Sequence, residues 1–575
     1  MQEKDSPEAY YLEVPSIVGK RQGNKTYYYL VESARVDGKP RIVSQQYLGS
    51  AEEVTARLTG AVVAGEPART QHRGFGDLAA VWSVLDKLGV AEVVDEVVGA
   101  RRADVDVSTG AYIALACANR VVAPRSKRAF ADWWATTAGP RMTRVAANSL
   151  DHRRFWEAMH RVDDEQLREI ERIISARVVE RYGIDLSGLV LDMTNFATYI
   201  DSANERAQIA QRGHAKQKRV DLRLVALGLV VSTDGGVPLC SHAYAGDRPD
   251  VTQFADLVAE LVKRFGELAG ECDNLTLVYD SGQDSAANRA VIESTPLHFV
   301  GSLPPSDFQD LLGISLSEFT PVGDLYPGVS AYETRAFALG AQRRVLVTHS
   351  PTLHEKQVAG FTQTLTKAGQ RLNELAARLA RGKTRRGRPA VEAEIAKILS
   401  PRWVSRVINA TLSGENPTNF ALAWEINIEA RAALEAEHFG KRILFTDHEH
   451  WPAVDVVSAY RSQHHVEADF RQLKDPHVVS FSPMHHWTDQ NIRVHVFYCV
   501  LALTISRLMR RQAAQAGLAM SVRELLDSLA GIQETILLYP SERGRPRARH
   551  MLTDLDRTQR QLYDIFGLDA HAPRR

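Results

Sequence analysis

The sequence predicts an α/β fold for the middle of the chain, preceded by a small β unit and a helical block and interrupted by an insertion. Between Leu186 and Leu303, short apolar strands alternate with helices in the order strand, strand, strand, helix, strand, helix, strand. Two of the apolar runs end in an aspartate, at Asp192 and Asp280. From 307 to 452 the alternation stops. This order favours a mixed sheet flanked by helices.

Length and composition narrow the class of protein. With 575 residues the chain is too long for one core, so three or more domains are expected. Apolar and charged contents of 44% and 24% are ordinary for a soluble globular protein. The 70 basic side chains equal the 70 acidic ones in number. Affinity for nucleic acid must therefore come from local basic patches.

Cysteines and apolar segments indicate a reducing compartment and no membrane partner. The four cysteines are far apart and form no Cys-x-x-Cys pair, which predicts neither disulfides nor a zinc site. The N-terminus lacks a signal-peptide pattern. The apolar run HVFYCVLALTI is too short to span a bilayer and is interpreted as a buried helix. A cytoplasmic protein is expected.

The N-terminal β unit spans residues 10–49, where β-branched and tyrosine residues flank the turns GKRQGNK and DGK. Its basic side chains can line either a phosphate backbone or a solvated edge, and both interpretations stay open. These basic residues are Lys20, Arg21, Lys25, Lys39 and Arg41.

The helical block spans residues 75–166, with one helix ending at Gly89 and another capped by Ser108 or Thr109. Several short helices with basic residues at their starts suit a DNA-binding module and a structural helical domain alike. The basic residues concerned are Arg125, Lys127 and Arg128.

The insertion combines strands, helices and a basic loop. AYETRAFALGAQRRVLVTHS is typical of paired strands, and FALAWEINIEARAAL and KRILFTDH are strand-like. A helix is predicted from about Thr362 to Ala380 and another in VEAEIAKIL, with RGKTRRGRP between them. The two helices can form a hairpin whose tip is either a nucleic-acid contact or a solvated loop. Trp424 and Trp451 either pack in a core or stack on an unpaired base.

The stretch Ser458–Asp475, SAYRSQHHVEADFRQLKD, is interpreted as one amphipathic helix. Val466, Phe470 and Leu473 form an apolar stripe. A polar stripe lies beside it, formed by Tyr460, Gln463, Glu467, Arg471 and Lys474. Such a helix alone is most simply a solvated surface helix. The two aspartates upstream make Glu467 a candidate third carboxylate.

Two strand-end aspartates and a glutamate on a later helix are a recurring way to bind two divalent cations. Mg²⁺ prefers carboxylate and water oxygens. Two ions roughly 3.5–4 Å apart can hold both the attacking and the leaving oxygen of a phosphoryl transfer. Other carboxylates compete with these three, namely Asp201, Asp234, Asp247, Asp250, Asp284 and Asp469. Asp469 points to a different helix face from Glu467, and Asp234 precedes a Gly-Gly turn.

The chain resembles DDE transposases of bacterial insertion sequences, in the group with a Y-x2-R-x3-E-x6-K signature. The matching segments are LVLDMTNF, GHAKQKRVDLRLVALGLVVSTDGGVPLCSHAYAGDRPD, LVYDSGQDS, YRSQHHVEADFRQLK and VHVFYCVLAL. They cover about 186–511. The resemblance implies an RNase H-like catalytic core, with the insertion lying between the last core strand and the catalytic helix.

The resemblance also implies roles for individual residues. Asp192, Asp280 and Glu467 are expected to hold two Mg²⁺ or Mn²⁺ ions, with Tyr460 and Lys474 contacting phosphates of the transposon end. Gln463 stands where the signature has arginine, and glutamine cannot supply a charged bidentate phosphate contact. The site is therefore expected to lack a tight clamp on that phosphate, and a mechanism that depends on the clamp, such as one with a hairpin intermediate, is not implied. Arg461 and Arg471 are the candidates to replace it, and further DNA contacts are expected from Lys216, Lys218, Lys383, Arg385, Arg386 and Arg388.

The expected function is that of a bacterial, nucleoid-associated transposase. It would bind its terminal inverted repeats as a homodimer, cleave DNA and join 3′-hydroxyl ends to target DNA. A metal-dependent nuclease of the same fold and an inactive DNA-binding descendant are the alternatives. The expected domains are a β unit (1–55), a helical domain that is a candidate for DNA binding (70–170), the first part of the core (180–306), the insertion (307–452), the second part of the core (453–515) and a C-terminal tail that is a candidate for DNA or dimer contacts (516–575).

Overall fold

The chain forms two compact units. The first comprises Met1–His72, Glu534–Leu552 and Pro573–Arg575, and the second comprises Arg73–Gln533 and Thr553–Ala572. The computed structural model describes residues 15–23, 25–36, 39–58, 67–99, 106–201, 203–213, 221–269, 275–283, 285–338, 340–382, 386–539 and 547–574.

The first unit is built on two three-stranded sheets, with strand orders β1-β2-β3 and β17-β16-β4. Helix α1 packs on β2 and β3. The strands predicted over 25–36 and 40–49 are confirmed; of the strand predicted over 10–18, residues 16–18 lie in β1 and residues 10–14 lie outside the described residues. Gly19–Gln22, expected in a turn, also belong to β1, and the backbone reverses at Gly23, whose φ is 61°. The elements are β1 (Ser16–Gln22), β2 (Lys25–Val36), β3 (Lys39–Ser50), α1 (Ala51–Leu58), β4 (Arg69–Gly74), β16 (Gln533–Tyr539) and β17 (Arg547–Leu552).

The second unit begins with the predicted helical block. Gly89 ends α2 in the left-handed conformation, and the Ser108 side chain caps α4 by accepting from the Ala111 N–H, as expected. The helices are α2 (Gly76–Leu88), α3 (Val90–Val98), α4 (Thr109–Val122), α5 (Phe130–Ala135), α6 (Gly139–Thr143), α7 (His152–His160) and α8 (Asp164–Tyr182).

Four of these helices (α2, α4, α7 and α8) pack against α18 (Asp489–Gln515). Helix α18 is long and apolar enough to cross a membrane, but 94% of its apolar stretch is buried inside the protein. It is therefore the core helix that the sequence predicts.

A nine-stranded mixed sheet follows, in the order β10-β11-β12-β15-β9-β8-β5-β6-β7. Strands β5, β8 and β9 are parallel, and β6 is antiparallel to both of its neighbours. The strands are β5 (Gly188–Thr198), β6 (Arg223–Ser232), β7 (Pro238–Ala245), β8 (Thr276–Tyr279), β9 (His298–Leu303), β10 (Thr320–Pro321), β11 (Ser330–Ala338), β12 (Ala341–His349) and β15 (Lys441–Thr446).

The five strands β7-β6-β5-β8-β9 form an RNase H-like core. Helix α9 (Asp250–Ala269) connects β7 to β8, and α10 (Ala286–Glu293) connects β8 to β9. The predicted order of strands and helices in this region is confirmed. One detail is wrong: the apolar run ending in Asp192 and the β-like run after it are a single strand, because β6 pairs with β5 from Leu189 to Thr198.

Strands from the insertion continue the core sheet, because β15 pairs antiparallel with β9 and then with β12. The insertion's helices and the β13-β14 hairpin share a separate apolar core that includes Phe361, Leu372 and Leu434. FALAWEINIEARAAL, expected to be strand-like, is a strand followed by a helix. The remaining elements are α11 (Gln309–Leu312), α12 (Pro351–Ala380), α13 (Arg388–Leu399), α14 (Val404–Val407), β13 (Ile408–Ser413), β14 (Ala421–Ile426) and α15 (Ile428–His438).

The helix expected from Ser458 to Asp475 is two helices, α16 (Ala453–Arg461) and α17 (His464–Leu473). Between them the Ser462 hydroxyl donates to the Ala459 carbonyl at 2.5 Å, and the His465 N–H donates to the Ser462 carbonyl at 2.9 Å. Such local bonds compete with the regular helical ladder. The tail contains α19 (Val522–Ala530) and α20 (Arg557–Ile565).

Candidate active site

The two aspartates lie at the same level of neighbouring parallel strands. Leu191 of β5 pairs with Tyr279 of β8, so Asp192 and Asp280 are the next residues along each strand. Parallel neighbours are about 4.8 Å apart and point corresponding side chains to the same face. Asp192 is half-buried within β5, while Asp280 directly follows the end of β8 and is exposed. The end of β8 therefore brings two carboxylates together at a solvent-accessible edge.

Asp280 is held by two hydroxyl groups. Ser302 Oγ of β9 and the Tyr460 hydroxyl of α16 each donate to Asp280 Oδ1 at 3.1 Å. Arg442 Nη1 donates to the Tyr460 oxygen at 3.2 Å. Burial, and then the negative charge of Asp280, raises the pKa of Tyr460 to about 12, so its hydroxyl keeps its proton at neutral pH. In this structure the Tyr460 hydroxyl orients a carboxylate, whereas the resemblance implies a phosphate contact.

Asp192 has a different set of partners. Its Oδ1 accepts from the Met193 N–H at 2.7 Å and from Gln283 Nε2 at 3.4 Å. Gln283 belongs to the 3₁₀ turn Ser281–Gln283 after Asp280, is 3% exposed, and has a buried Oε1 that lacks a partner among the described residues. Gln283 and Ser302 were not predicted from sequence. The only signal for them is their position, since each polar residue closely follows or ends an apolar strand.

Helix α17 packs on the same face of β5. Lys474 Nζ donates to Thr194 Oγ1 at 2.8 Å and lies 5.4 Å from the centroid of the Phe196 ring. Thr194 and Phe196 are two and four residues beyond Asp192, so they share its face of the strand. The turn at Gly236, whose φ is +68°, lies close against the other end of this helix, where an added Cβ would lie 3.1 Å from the His465 Cβ. A residue with a side chain at this turn would therefore be strained and would press on His465 at the start of α17.

Glu467 is exposed on α17, two turns before Lys474. Three or more ligand atoms within 4.8 Å of one another could hold a metal ion. Among the described residues, His298, Asp447 and His448 form such a group, and the three predicted carboxylates do not. The structure therefore places Asp192 and Asp280 at the same level of neighbouring strands, and the three carboxylates are not all within 4.8 Å of one another.

The His298–Asp447–His448 cluster is remote from the aspartates. His298 pairs with Thr276 at the start of β8, whereas Asp280 follows the other end of that strand. Four residues of strand correspond to about 13 Å. This cluster is thus separate from the candidate active site.

Four of the competing carboxylates have structural partners. Asp201 accepts from the Ala203 N–H at 2.9 Å, and Asp250 accepts from the Tyr244 hydroxyl at 2.6 Å. Asp469 is fully buried and pairs with Arg507 of α18 at 2.5 Å. Asp234 pairs with Arg511 at 2.7 Å beside the Gly235-Gly236 turn. Asp284 lies outside the described residues.

The other predicted DNA contacts differ in their surroundings. Arg471 is exposed, with Nε 3.4 Å from the Glu467 carbonyl oxygen. Arg461 stacks on the Tyr326 ring at 4.4 Å, and the Gln463 amide nitrogen is buried without a partner among the described residues. Arg388 donates to the backbone carbonyls of Leu412 and Gly414. Arg386 pairs with Glu394, while Lys216, Lys218, Lys383 and Arg385 lie outside the described residues.

The two candidate stacking tryptophans already have partners. Trp424 Nε1 donates to Asn373 Oδ1 at 2.9 Å, and its ring packs against the insertion core. The Trp451 ring stacks on His448, with centroids 3.6 Å apart and planes 9° apart.

Comparison with known proteins places the chain in a family. No curated protein matches it. Among solved structures, the piggyBac transposase synaptic complex with hairpin DNA is 10% identical, with 81% of this chain and 82% of that chain covered and a TM-score of 0.37. The family model for the transposase DDE domain matches residues 184–505, more than half of the chain. Members of this family act on DNA with divalent metal, and the chain belongs to the DDE-domain transposases, which makes it a DNA transposase.

Proposed function

We propose that the chain is the transposase of a bacterial insertion sequence, which binds the ends of its element, cleaves them and joins the 3′-hydroxyl ends to target DNA. The observation that carries this proposal is the register of β5 and β8, which puts Asp192 and Asp280 at one level. Helix α17, which carries Glu467 and is directly followed by Lys474, packs on the same face of β5 as Asp192.

Asp192, Asp280 and Glu467 would hold two Mg²⁺ or Mn²⁺ ions. The donor set fits these ions, since each takes one or two carboxylates and keeps several waters, and the Asp280 side chain is exposed. When bound, the ions supply activation of the attacking oxygen and neutralisation of charge. Glu467 would join the aspartates when DNA and metal bind, because catalytic contacts often tighten only in the reacting complex.

The remaining residues of the site would position the aspartates and neutralise the charge of the DNA phosphate. Tyr460 and Ser302 fix the orientation of Asp280, and Gln283 supports Asp192. Lys474 brings a cation to the face where a phosphate would lie. Water would attack first and release a 3′-hydroxyl, which then attacks a target phosphodiester in line. Synapsis of two ends would require a homodimer, and Gln463 leaves the site without the arginine clamp of the signature.

A strand-transfer assay tests this function against hydrolysis alone. Pre-cleaved duplexes carrying the element's terminal sequences are incubated with supercoiled plasmid and Mg²⁺ or Mn²⁺. Joined products, in which the 3′ ends of the pre-cleaved duplexes are linked to plasmid strands, are expected. Cleavage of uncut ends without any joining of pre-cleaved ends would identify a nuclease instead, and binding without either reaction would identify an inactive descendant.

Substituting Tyr460 by phenylalanine should raise the metal concentration needed for cleavage. The Asp280 carboxylate loses a hydrogen bond of about 1.5–3 kcal/mol, which corresponds to roughly a 10- to 100-fold higher half-saturating Mg²⁺ concentration. End-DNA affinity should not change. Tyr326→Phe is the matched control, because the Tyr326 hydroxyl bonds to Ser458 of the same helix at 2.9 Å. Weaker end binding at an unchanged metal requirement would restore the phosphate-contact role.

Substituting Arg471 by alanine should weaken end-DNA binding if this exposed arginine replaces the missing signature arginine. One lost phosphate contact reduces the slope of log K against log salt by about 0.9. Binding is measured by fluorescence anisotropy at salt concentrations between about 50 and 300 mM. Arg168→Ala, an exposed residue of α8, is the control. An unchanged slope for Arg471→Ala would remove this residue from the interface.

A further inference from the structure

The sheet β1-β2-β3, here called the N-terminal sheet, is unusually basic for this chain. Every residue of β1 is exposed. One exposed acidic residue, Glu32, lies among the described side chains of the three strands. The exposed basic residues are Lys20, Arg21, Lys25, Lys39 and Arg41. Since the whole chain has zero formal net charge, this sheet concentrates positive charge in a small area.

The same sheet exposes groups suited to base edges. Lys20 Nζ donates to Gln45 Oε1 at 2.6 Å and lies 5.1 Å from the Tyr29 ring centroid. Apolar side chains are also exposed on this sheet, with Ile42 at 49% and Val43 at 54%. Glutamine amides can pair with adenine, and apolar groups can contact thymine methyls. Phosphate-binding and base-reading groups therefore occur on one element.

The helical block differs, because part of its positive charge is buried. Of the basic residues near its helix starts, Lys127 is 8% exposed and its Nζ lies 4.4 Å from the Tyr498 ring centroid of α18. Arg120, at the end of α4, is 1% exposed and donates to the Ser482 carbonyl at 2.8 Å. These two cations hold the block against the core and are not available to a phosphate backbone, whereas Arg125 and Arg128 are exposed.

We propose that the N-terminal sheet recognises the terminal-repeat duplex by entering its major groove. Three strands about 4.8 Å apart give a backbone width of roughly 10 Å, close to the groove width of about 12 Å. Strands are an established way to read this groove. The inference rests on the proposed function, because it takes the element's ends as the ligand.

Binding of two duplexes by the full-length protein tests the proposal. The probes are a duplex of about 60 bp from each end of the element, which is longer than one binding site, and a random-sequence duplex of equal length. In the sheet variant Lys20, Arg21 and Lys25 become alanine, and in the control variant Lys87, Arg168 and Lys263 of the second unit become alanine. The sheet variant should bind both probes roughly 10- to 100-fold more weakly, with a salt slope reduced by up to about 2.7. The control variant should bind like wild type.

Sequence reading is tested separately with Gln45→Ala. This variant should lose roughly 5- to 100-fold in affinity for the end duplex and keep its affinity for the random duplex. A photo-crosslinker in place of Val43 should attach to the end duplex, while one in place of Trp156, which is 42% exposed on α7, should not. The crosslinking proteins keep Lys20, Arg21, Lys25 and Gln45, so they report contact with DNA even if an alanine variant folds poorly.

The outcomes separate this inference from the proposed function. Wild-type binding by the sheet variant, or a crosslink from Trp156 and none from Val43, overturns the sheet as the reader while cleavage by the wild type still stands. Specific end binding that requires the sheet, in a wild type that neither cleaves nor joins, supports the inference and overturns the proposed function.

Discussion

Replacing Asp280 by asparagine should slow end cleavage by roughly 10³-fold or more, because a metal ligand is worth several kcal/mol and each 1.36 kcal/mol is about tenfold in rate. Asparagine keeps the size of the side chain and can still accept from Ser302 and Tyr460. The change therefore removes charge with little change in shape. Binding of the end duplex without metal should stay unchanged. Single-turnover cleavage in Mg²⁺ and in Mn²⁺, with binding by anisotropy, measures both quantities.

Three comparisons sharpen this experiment. Asp192→Asn and Glu467→Gln should show losses of the same order, and the Asp192/Asp280 double variant should lose little more than either single variant, because residues that act as one unit are not additive. Asp527→Asn makes the same chemical change at an exposed position of α19 and should cleave like wild type. Equal cleavage rates for wild type and Asp280→Asn would exclude Asp280 as a metal ligand.

The sequence could predict the elements of the core because their signals are local. Apolar runs with β-branched residues became β5, β6, β8 and β9, and the Gly235-Gly236 turn has the positive φ angles that glycine permits. The order of the two aspartates and the glutamate along the chain is likewise a local observation. What brings Asp192 level with Asp280 is the pairing of β5 with β8, which lies between residues far apart in sequence.

Long-range pairing also explains what the sequence could not predict. The insertion's β15 joins β9 at residues 140 positions apart, as in the pair Leu303 and Ile443, and no local pattern encodes such a register. Arg120 and Lys127 were equally unpredictable. Basic residues near helix ends usually face solvent, and only the packing of α4 and α7 on α18 buries them.

The break between α16 and α17 is a second feature that the sequence pattern did not predict. The polar stripe from Tyr460 to Lys474 assumes one regular helix, and the local bonds of Ser462 interrupt it. Tyr460 therefore contacts Asp280, while Glu467 lies on α17 and Lys474, which directly follows α17, contacts the face of β5. The stripe identified the right segment but grouped side chains that have separate surroundings.

Substituting Arg507 by methionine should destabilise the second unit by about 3–5 kcal/mol, because it leaves the Asp469 carboxylate buried without its cation. Asp469 is fully buried on α17, and its Oδ2 lacks a hydrogen-bond partner among the described residues. Arg507 Nε lies 2.5 Å from Oδ1 and ties α17 to α18. Thermal unfolding measures the loss. Arg510→Met, an exposed neighbour on α18, is the matched control and should unfold like wild type.

Two further measurements decide whether the uncompensated charge is the cause. The Asp469→Leu/Arg507→Met double variant should recover most of the stability, since a buried ion pair can be replaced by apolar residues at little cost. Burial raises the pKa of Asp469 to about 7 even with Arg507 beside it. A raised folded-state pKa means that this group's stability is present at acidic pH and is lost as the pH rises through about 7. The loss of stability caused by Arg507→Met should therefore be smaller at about pH 5.5 than at about pH 8. A loss of stability that is independent of pH and persists in the double variant would point to lost packing instead.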